Sequence, residues 1–193
     1  MTNRKIKILC IGGSLRKGSY NRSLLETGLL MKSAQELCPE IAELEVFDRL
    51  GEFPLFNQDL EGDPPAVIKE FKAKIKAADA ILFVTPEYNY SIPGFLKNAI
   101  DWASRPYTDS SFNDKPGAIM SASTGMLGGA RAQYVLRQVC VQLNVHLLNR
   151  PEVFVADVAE KVQAGILSDT HTKEKIRELL DALCVWTMRL TKD

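Results

Sequence analysis

Three short stretches hold the residues whose types and spacing suit chemistry. The first is GGSLRKGSYN at residues 12–21, directly after the apolar run IKILCI. Its glycines let the backbone turn sharply and point its N–H groups outward. A helix that follows such a turn presents unpaired N–H donors and the positive end of its dipole. An oxyanion is the natural occupant. Ser14, Ser19 and Asn21 add neutral donors and Arg16 adds a charged fork. Each hydrogen bond to a charged group contributes about 1.5–3 kcal/mol. The stretch thus predicts a cradle for a monophosphate held without metal; taken alone, it also suits a plain turn with Ser19 as N-cap.

Spacing sets this turn apart from two commoner phosphate loops. Gly13 and Gly18 match the first half of a Walker loop, but Ser19 and Tyr20 stand where Lys and Ser or Thr are required. Nucleotide hydrolysis is therefore not expected. The turn has no G-x-G-x-x-G, and Asp48 lies further along than the ribose-binding acid of a dinucleotide site.

The second stretch is TPEYNYSIPGFLKNAIDW, residues 85–102. Pro86 fixes the chain, Gly94 permits close approach, and Tyr88 and Tyr90 bring aromatic faces. Main-chain N–H groups in such a turn can address a planar heterocycle, most usefully one that gains negative charge on reduction. Packing on a neighbouring subunit is the other use for Tyr88 and Tyr90. Glu87 reads as a solvated carboxylate and Trp102 as core. The third stretch, SASTGMLGGARAQYVLR, is small and flexible from Ser121 to Gly129, as a loop bordering a ligand or a plain connection would be.

The elements that must carry these loops alternate in type. Strands are expected at Lys5–Ile11, Ile41–Phe47, Asp79–Thr85, Lys115–Ser121 and Val153–Val155. Helices are expected at Ser19–Cys38, Pro65–Ala77, Ser91–Ala103 (with Ser91 as N-cap and Pro93 in the first turn), Gly129–Leu143 and Thr170–Leu190. Gly51–Pro65 reads as loop. Almost wholly apolar strands between helices imply a parallel sheet covered on both faces. Five strands predict an α/β flavodoxin-like, doubly wound parallel sheet of order 2-1-3-4-5, with the ligand outside the carboxyl ends of strands one, three and four. All 193 residues form one domain on this reading.

Composition limits the partners. The 24 basic and 24 acidic residues cancel, so no global field draws in nucleic acid or an anionic membrane. No apolar run nears the roughly 20 residues of a membrane span. The N-terminus MTNRKIKILC carries no long apolar segment of the secretory kind. Cys10, Cys38, Cys140 and Cys184 are widely spaced, which suits a reducing cytoplasm better than a disulfide framework. His146 and His171 belong to no metal-spaced cluster, so no metal is expected.

The stretches GSLRKGSYN (13–21), TPEYNYSIPGFLKNAIDW (85–102) and STGMLGGARAQYVLRQ (123–138) resemble the NADPH-dependent FMN reductase family, especially its chromate/quinone reductase and azoreductase branch. The similarity runs in order from residue 5 to about 155. It implies FMN as cofactor, with Ser14, Leu15, Arg16, Lys17, Gly18, Ser19, Tyr20 and Asn21 around the phosphate. Pro86, Glu87, Tyr88 and Asn89 would line the isoalloxazine ring, largely through main-chain atoms. Ala122, Ser123 and Gly125 would close its other edge, Ala122 standing where relatives often carry a hydroxyl residue. The resemblance also implies a homodimer or homotetramer, with Arg131, Tyr134, Lys97, Asp101 and Trp102 as candidate interface residues.

The activity implied is hydride transfer from NADPH or NADH through FMN, by a ping-pong route, to quinones, azo compounds, free flavin or oxidised metal ions such as chromate. The flavin would carry the chemistry, so no catalytic side chain is expected. Two other readings stand beside it: a flavodoxin-like electron carrier, which the neutral net charge disfavours, and a flavin-dependent redox sensor.

Overall fold

Hydrogen bonding between parallel strands organises the chain. In the computed structural model, residues 4–16, 18–21, 34–163 and 166–191 are described. Four strands form the body of the sheet: β1 (Ile6–Gly12), β2 (Ala42–Phe47), β3 (Ala80–Val84) and β4 (Pro116–Ala122). Each pairs in parallel with its neighbour, in the order β2-β1-β3-β4. Every residue of β3 and β4 is buried, as strands covered on both faces must be.

The fifth position differs from the single expected strand. It is shared by two short pieces, β5 (His146–Leu147) and β6 (Val153–Val155). β5 pairs with Pro116–Gly117 at the start of β4, and β6 with Met120–Ala122 at its end. The apolar EVFVA segment is thus real strand, but only half of the last position. A small antiparallel pair, β7 (Val162–Gln163) with β8 (Ile166–Leu167), lies apart.

Side-chain alternation divides the core in two. From β1, Ile8 and Cys10 face one cluster and Leu9 and Ile11 the other. The first cluster is closed by α4 (Thr170–Leu190) through Ile176, Leu179, Leu180 and Leu183. The second is closed by α1 (Ala66–Ala77), α2 (Gly94–Ala103) and α3 (Ala130–Gln142). Phe71 of α1 anchors it, with ring centroids 4.7 Å from Phe47 and 5.3 Å from Phe53. Asp169 caps α4 by accepting from the Thr172 N–H at 2.7 Å.

Three of the five expected helices match to within a residue at each end, and the starts expected at Ser91 and Ser19 do not. α2 begins at Gly94 with Pro93 at the cap position, not at Ser91. Ser91 is instead drawn into a tight turn with Tyr88. The helix expected over Ser19–Cys38 does not start at Ser19, because residues 19–21 are held in a turn by the Ser19 N–H and Oγ bonds; residues 34–36 are helical, 37–38 are not, and 22–33 lie outside the described residues. The stretch read as loop carries two short 3-10 turns, Leu50–Glu52 and Gln58–Leu60.

The loop after β4 is pressed against β6. Gly128 adopts φ 57°, and a Cβ there would stand 2.8–2.9 Å from backbone atoms of Phe154, Val155 and Ala156. Gly128→Ala should therefore lower stability by about 1–3 kcal/mol. Urea unfolding should show a lower midpoint at unchanged slope.

Candidate functional site

Parallel pairing brings the carboxyl ends of β1, β3 and β4 to one side of the sheet, and short backbone bonds stitch their loops together. The Gly13 N–H donates to the Val84 carbonyl at 2.7 Å. A Cβ on Gly13 would stand 2.4 Å from Oγ1 of Thr85, so only glycine fits where the first loop crosses β3. The Thr85 N–H in turn donates to the Met120 carbonyl at 3.1 Å.

The first loop has the features of an oxyanion cradle. Ser14 and Ser19 are buried. The Ser14 Oγ accepts from the Arg16 N–H at 3.4 Å, and the Ser19 Oγ from the Asn21 N–H at 3.2 Å. Each hydroxyl keeps its own O–H to donate. The Ser19 N–H closes the turn on the Arg16 carbonyl at 3.1 Å. Arg16 folds back over its own loop: a Cβ on Gly18 would be 3.4 Å from Nη1, and the guanidinium carbon lies 5.8 Å from the Tyr20 ring centroid. Small hydroxyls below and a guanidinium above suit a phosphate monoester. Leu15 is exposed, with its side chain turned to Gly51. Tyr20 packs partly into the α4-side core, and Lys17 lies outside the described residues.

Asn21 does something the sequence did not suggest. Its Nδ2 donates to the Ala122 carbonyl at 2.8 Å, and its Oδ1 accepts from the Ala122 N–H at 2.8 Å. The side chain is a two-way clamp between the first loop and the end of β4. Ala122 meets this clamp through its backbone, so its lack of a hydroxyl leaves the contact intact.

The second loop carries a tight turn at Tyr88–Ser91. Tyr88 and Ser91 exchange backbone bonds of 2.9 and 3.0 Å. Asn89 and Tyr90 between them take φ 49° and 67°. Two left-handed residues in succession define a type I′ turn, a conformation a tyrosine adopts only under constraint. The turn displays both tyrosines, Tyr90 67% exposed. Glu87 is not solvated as the sequence suggested. Its carboxylate accepts from the N–H groups of Arg131 and Ala132 at 3.0 and 3.4 Å and pairs with the Arg131 guanidinium at 3.1 Å. Arg131 lies 3.9 Å over the Tyr90 ring. Gly94 faces open space, not a close approach within the chain. Trp102 is buried and donates Nε1 to the Pro54 carbonyl at 2.9 Å, so it is core and offers no surface to a second subunit. Lys97 and Asp101 form an exposed pair on α2.

The third loop is held from below. The Ser123 N–H donates to the Val155 carbonyl at 3.0 Å, and its Oγ accepts from the Gly125 N–H at 3.1 Å. Gln133, fully buried on α3, donates to Ser121 Oγ and to the Val153 carbonyl, both at 2.8 Å. Sequence reasoning missed Gln133, although a polar residue in the buried stripe with Leu136 and Cys140 is a readable signal. It also missed Thr85, whose place against Gly13 leaves no mark in composition.

Other reactive groups stand apart from this region. All four cysteines are free thiols. Burial raises the Cys140 pKa to about 12 and the Cys184 pKa to about 11, and pushes Cys10 up as well, so these thiols stay protonated. Among the described residues, no group of three His, Cys, Asp or Glu side chains is placed to hold a metal ion. No helix among them is long and apolar enough to cross a membrane. A groove of about 630 Å³ lies between β2 and α1, along the flank of the sheet and away from the loops.

The sheet order, with its loops gathered at the carboxyl ends of β1, β3 and β4, defines a flavodoxin-like fold. The chain belongs to the NADPH-dependent FMN reductase family, whose model matches residues 6–160, and it is accordingly an FMN-linked oxidoreductase. It is 49% identical over 188 residues to an NAD(P)H-dependent FMN reductase of Pseudomonas aeruginosa, covering 96% of this chain and 97% of that one. It is 44% identical to an NAD(P)H:quinone oxidoreductase of Solanum tuberosum, covering 96% and 94%. The solved structure of FerB, a flavoenzyme NAD(P)H:(acceptor) oxidoreductase from Paracoccus denitrificans, superposes with a TM-score of 0.85 at 35% identity, covering 95% and 98%.

The Asn21 clamp can be tested without ligand. Asn21→Ala strands a buried N–H and a buried carbonyl at Ala122, and should cost about 1–3 kcal/mol in the flavin-free protein. Chemical unfolding measures it; a loss below about 0.5 kcal/mol, the level of an ordinary surface change, would mean the clamp is idle.

Proposed function

We propose that this chain is an FMN-dependent NAD(P)H:quinone oxidoreductase acting as one domain over residues 1–193. The observation that carries the reading is the union, at one end of the sheet, of an arginine-topped serine cradle with a turn that displays Tyr88 and Tyr90. The printed activities of the P. aeruginosa and S. tuberosum relatives support it. Bound FMN would supply the hydride-accepting and electron-donating chemistry between NADPH or NADH and the acceptor, and a site that the two substrates share in turn would give a ping-pong order.

The chain's own part is to bind, orient and shield. Ser14, Arg16 and Ser19 hold the phosphate, with main-chain atoms of Leu15, Gly18 and Tyr20 completing the loop. Asn21 braces that loop from behind. Pro86, Glu87, Tyr88 and Asn89 line the ring through their backbone, and Ala122, Ser123 and Gly125 border its far edge. Tyr88, 45% exposed, offers its face to a flat acceptor. An exposed aromatic face of this kind favours quinones, and the reading extends to azo compounds, free flavin and chromate. The exposed Tyr134 and the Arg131–Tyr90 stack face outward, as an interface of a homodimer or homotetramer would.

Purified protein loaded with FMN and freed of excess flavin should oxidise NADPH beyond one equivalent rapidly only when a benzoquinone is added, with parallel double-reciprocal plots. Absence of quinone-dependent oxidation rejects the reading. Arg16→Ala should weaken FMN roughly ten- to a hundred-fold, the loss of one charge-assisted bond. Fluorescence titration of flavin reads this directly, and unchanged affinity removes Arg16 from the cradle.

A further inference from the structure

We propose that Glu87 is a positioning residue for the flavin: from the loop after β3 it caps the start of α3 and balances the charge of Arg131. It thereby fixes the spacing of the second and third loops before the ring arrives. The proposal rests on the flavin-reductase reading above and assigns a task to a side chain rather than to the backbone.

The need for such a cap lies in the chain itself. The residue before α3 is Gly129, at φ 87°, and it has no side chain with which to cap. The first N–H groups of a helix have no intrahelical partner. Glu87 supplies the acceptor from 44 residues away in sequence: one carboxylate oxygen receives the Arg131 and Ala132 N–H groups, and the other the Arg131 guanidinium. Its side chain is only 14% exposed, so the contact is partly withdrawn from water. With both oxygens engaged as acceptors, the carboxylate suits a scaffold and not a proton donor.

The same contact closes a mechanical ring. Glu87 adjoins the turn whose Asn89 and Tyr90 are left-handed, and the Arg131 guanidinium lies over the Tyr90 ring. Such a backbone persists only where its surroundings over-determine it. Turn, arginine and helix start hold one another where the second and third loops meet. Charge follows geometry: without Glu87, Arg131 and the positive end of α3 stand unbalanced beside a ring that gains electron density on reduction.

Two substitutions separate the mechanical and electrostatic parts. In flavin-free Glu87→Ala, the Arg131 and Ala132 amides should exchange hydrogen roughly three- to thirty-fold faster, the usual consequence of losing a cap. FMN affinity should fall by a similar factor. Glu87→Gln retains an acceptor without the charge. It should keep FMN affinity within about three-fold while the bound flavin's midpoint potential moves positive, by about 30 mV for each tenfold gain in preference for the reduced form. Unchanged amide exchange in Glu87→Ala overturns the cap, and an unchanged potential in Glu87→Gln overturns the charge balance. If the unsubstituted protein binds no FMN, the flavin reading fails, and the amide-exchange result alone decides the cap.

Discussion

The pairing of the Asn21 amide with the backbone of Ala122 is the contact on which the arrangement of the site depends. It joins a loop that leaves β1 to the end of a strand two positions away in the sheet. Buried amide–backbone pairs are directional, so the joint sets orientation as well as distance. Around it the other stitches follow in order: Gly13 to Val84, Thr85 to Met120, Ser123 to Val155. Three separate loops become one surface. A binding surface organised before its ligand arrives loses less conformational entropy on binding.

Charge is managed locally in a chain whose total charge is zero. Arg16 sits over the first loop, where an oxyanion fits, and Glu87 balances Arg131 across the second and third. On the proposed reading, a net-neutral protein sets the Arg16 guanidinium at the phosphate end and a Glu87–Arg131 pair at the ring end. A phosphate tail and a redox-active ring ask for that division: the first is permanently charged, and the second changes its charge during turnover.

Much of this was legible in the sequence, and the failures are physical. Apolar runs and helical stripes revealed the parallel sheet and α4 with the same limits the structure gives, because burial dictates residue type. The three loops could be found because glycine, proline and hydroxyl residues mark strained or ligand-facing backbone. What escaped was long-range partnership. Nothing near Asn21 announces that Ala122 receives it, and Glu87 looked solvated because its partner Arg131 lies 44 residues later. The start of α2 was misplaced because Ser91 is a good N-cap by type, while the Tyr88–Ser91 turn had a prior hold on its backbone. The halving of the fifth strand escaped because two residues at His146–Leu147 are too few to show a period.

That divided fifth position also affects how the molecule behaves in a crowd. A sheet with open borders invites strangers to add on strand by strand, and long regular borders are the most dangerous. Here one border is broken into pieces of two and three residues. The other, β2, carries Glu43 and Glu45, the latter paired with Lys74. One rim is interrupted and the other is charged, so both discourage the strand-by-strand addition that leads to fibre-like growth.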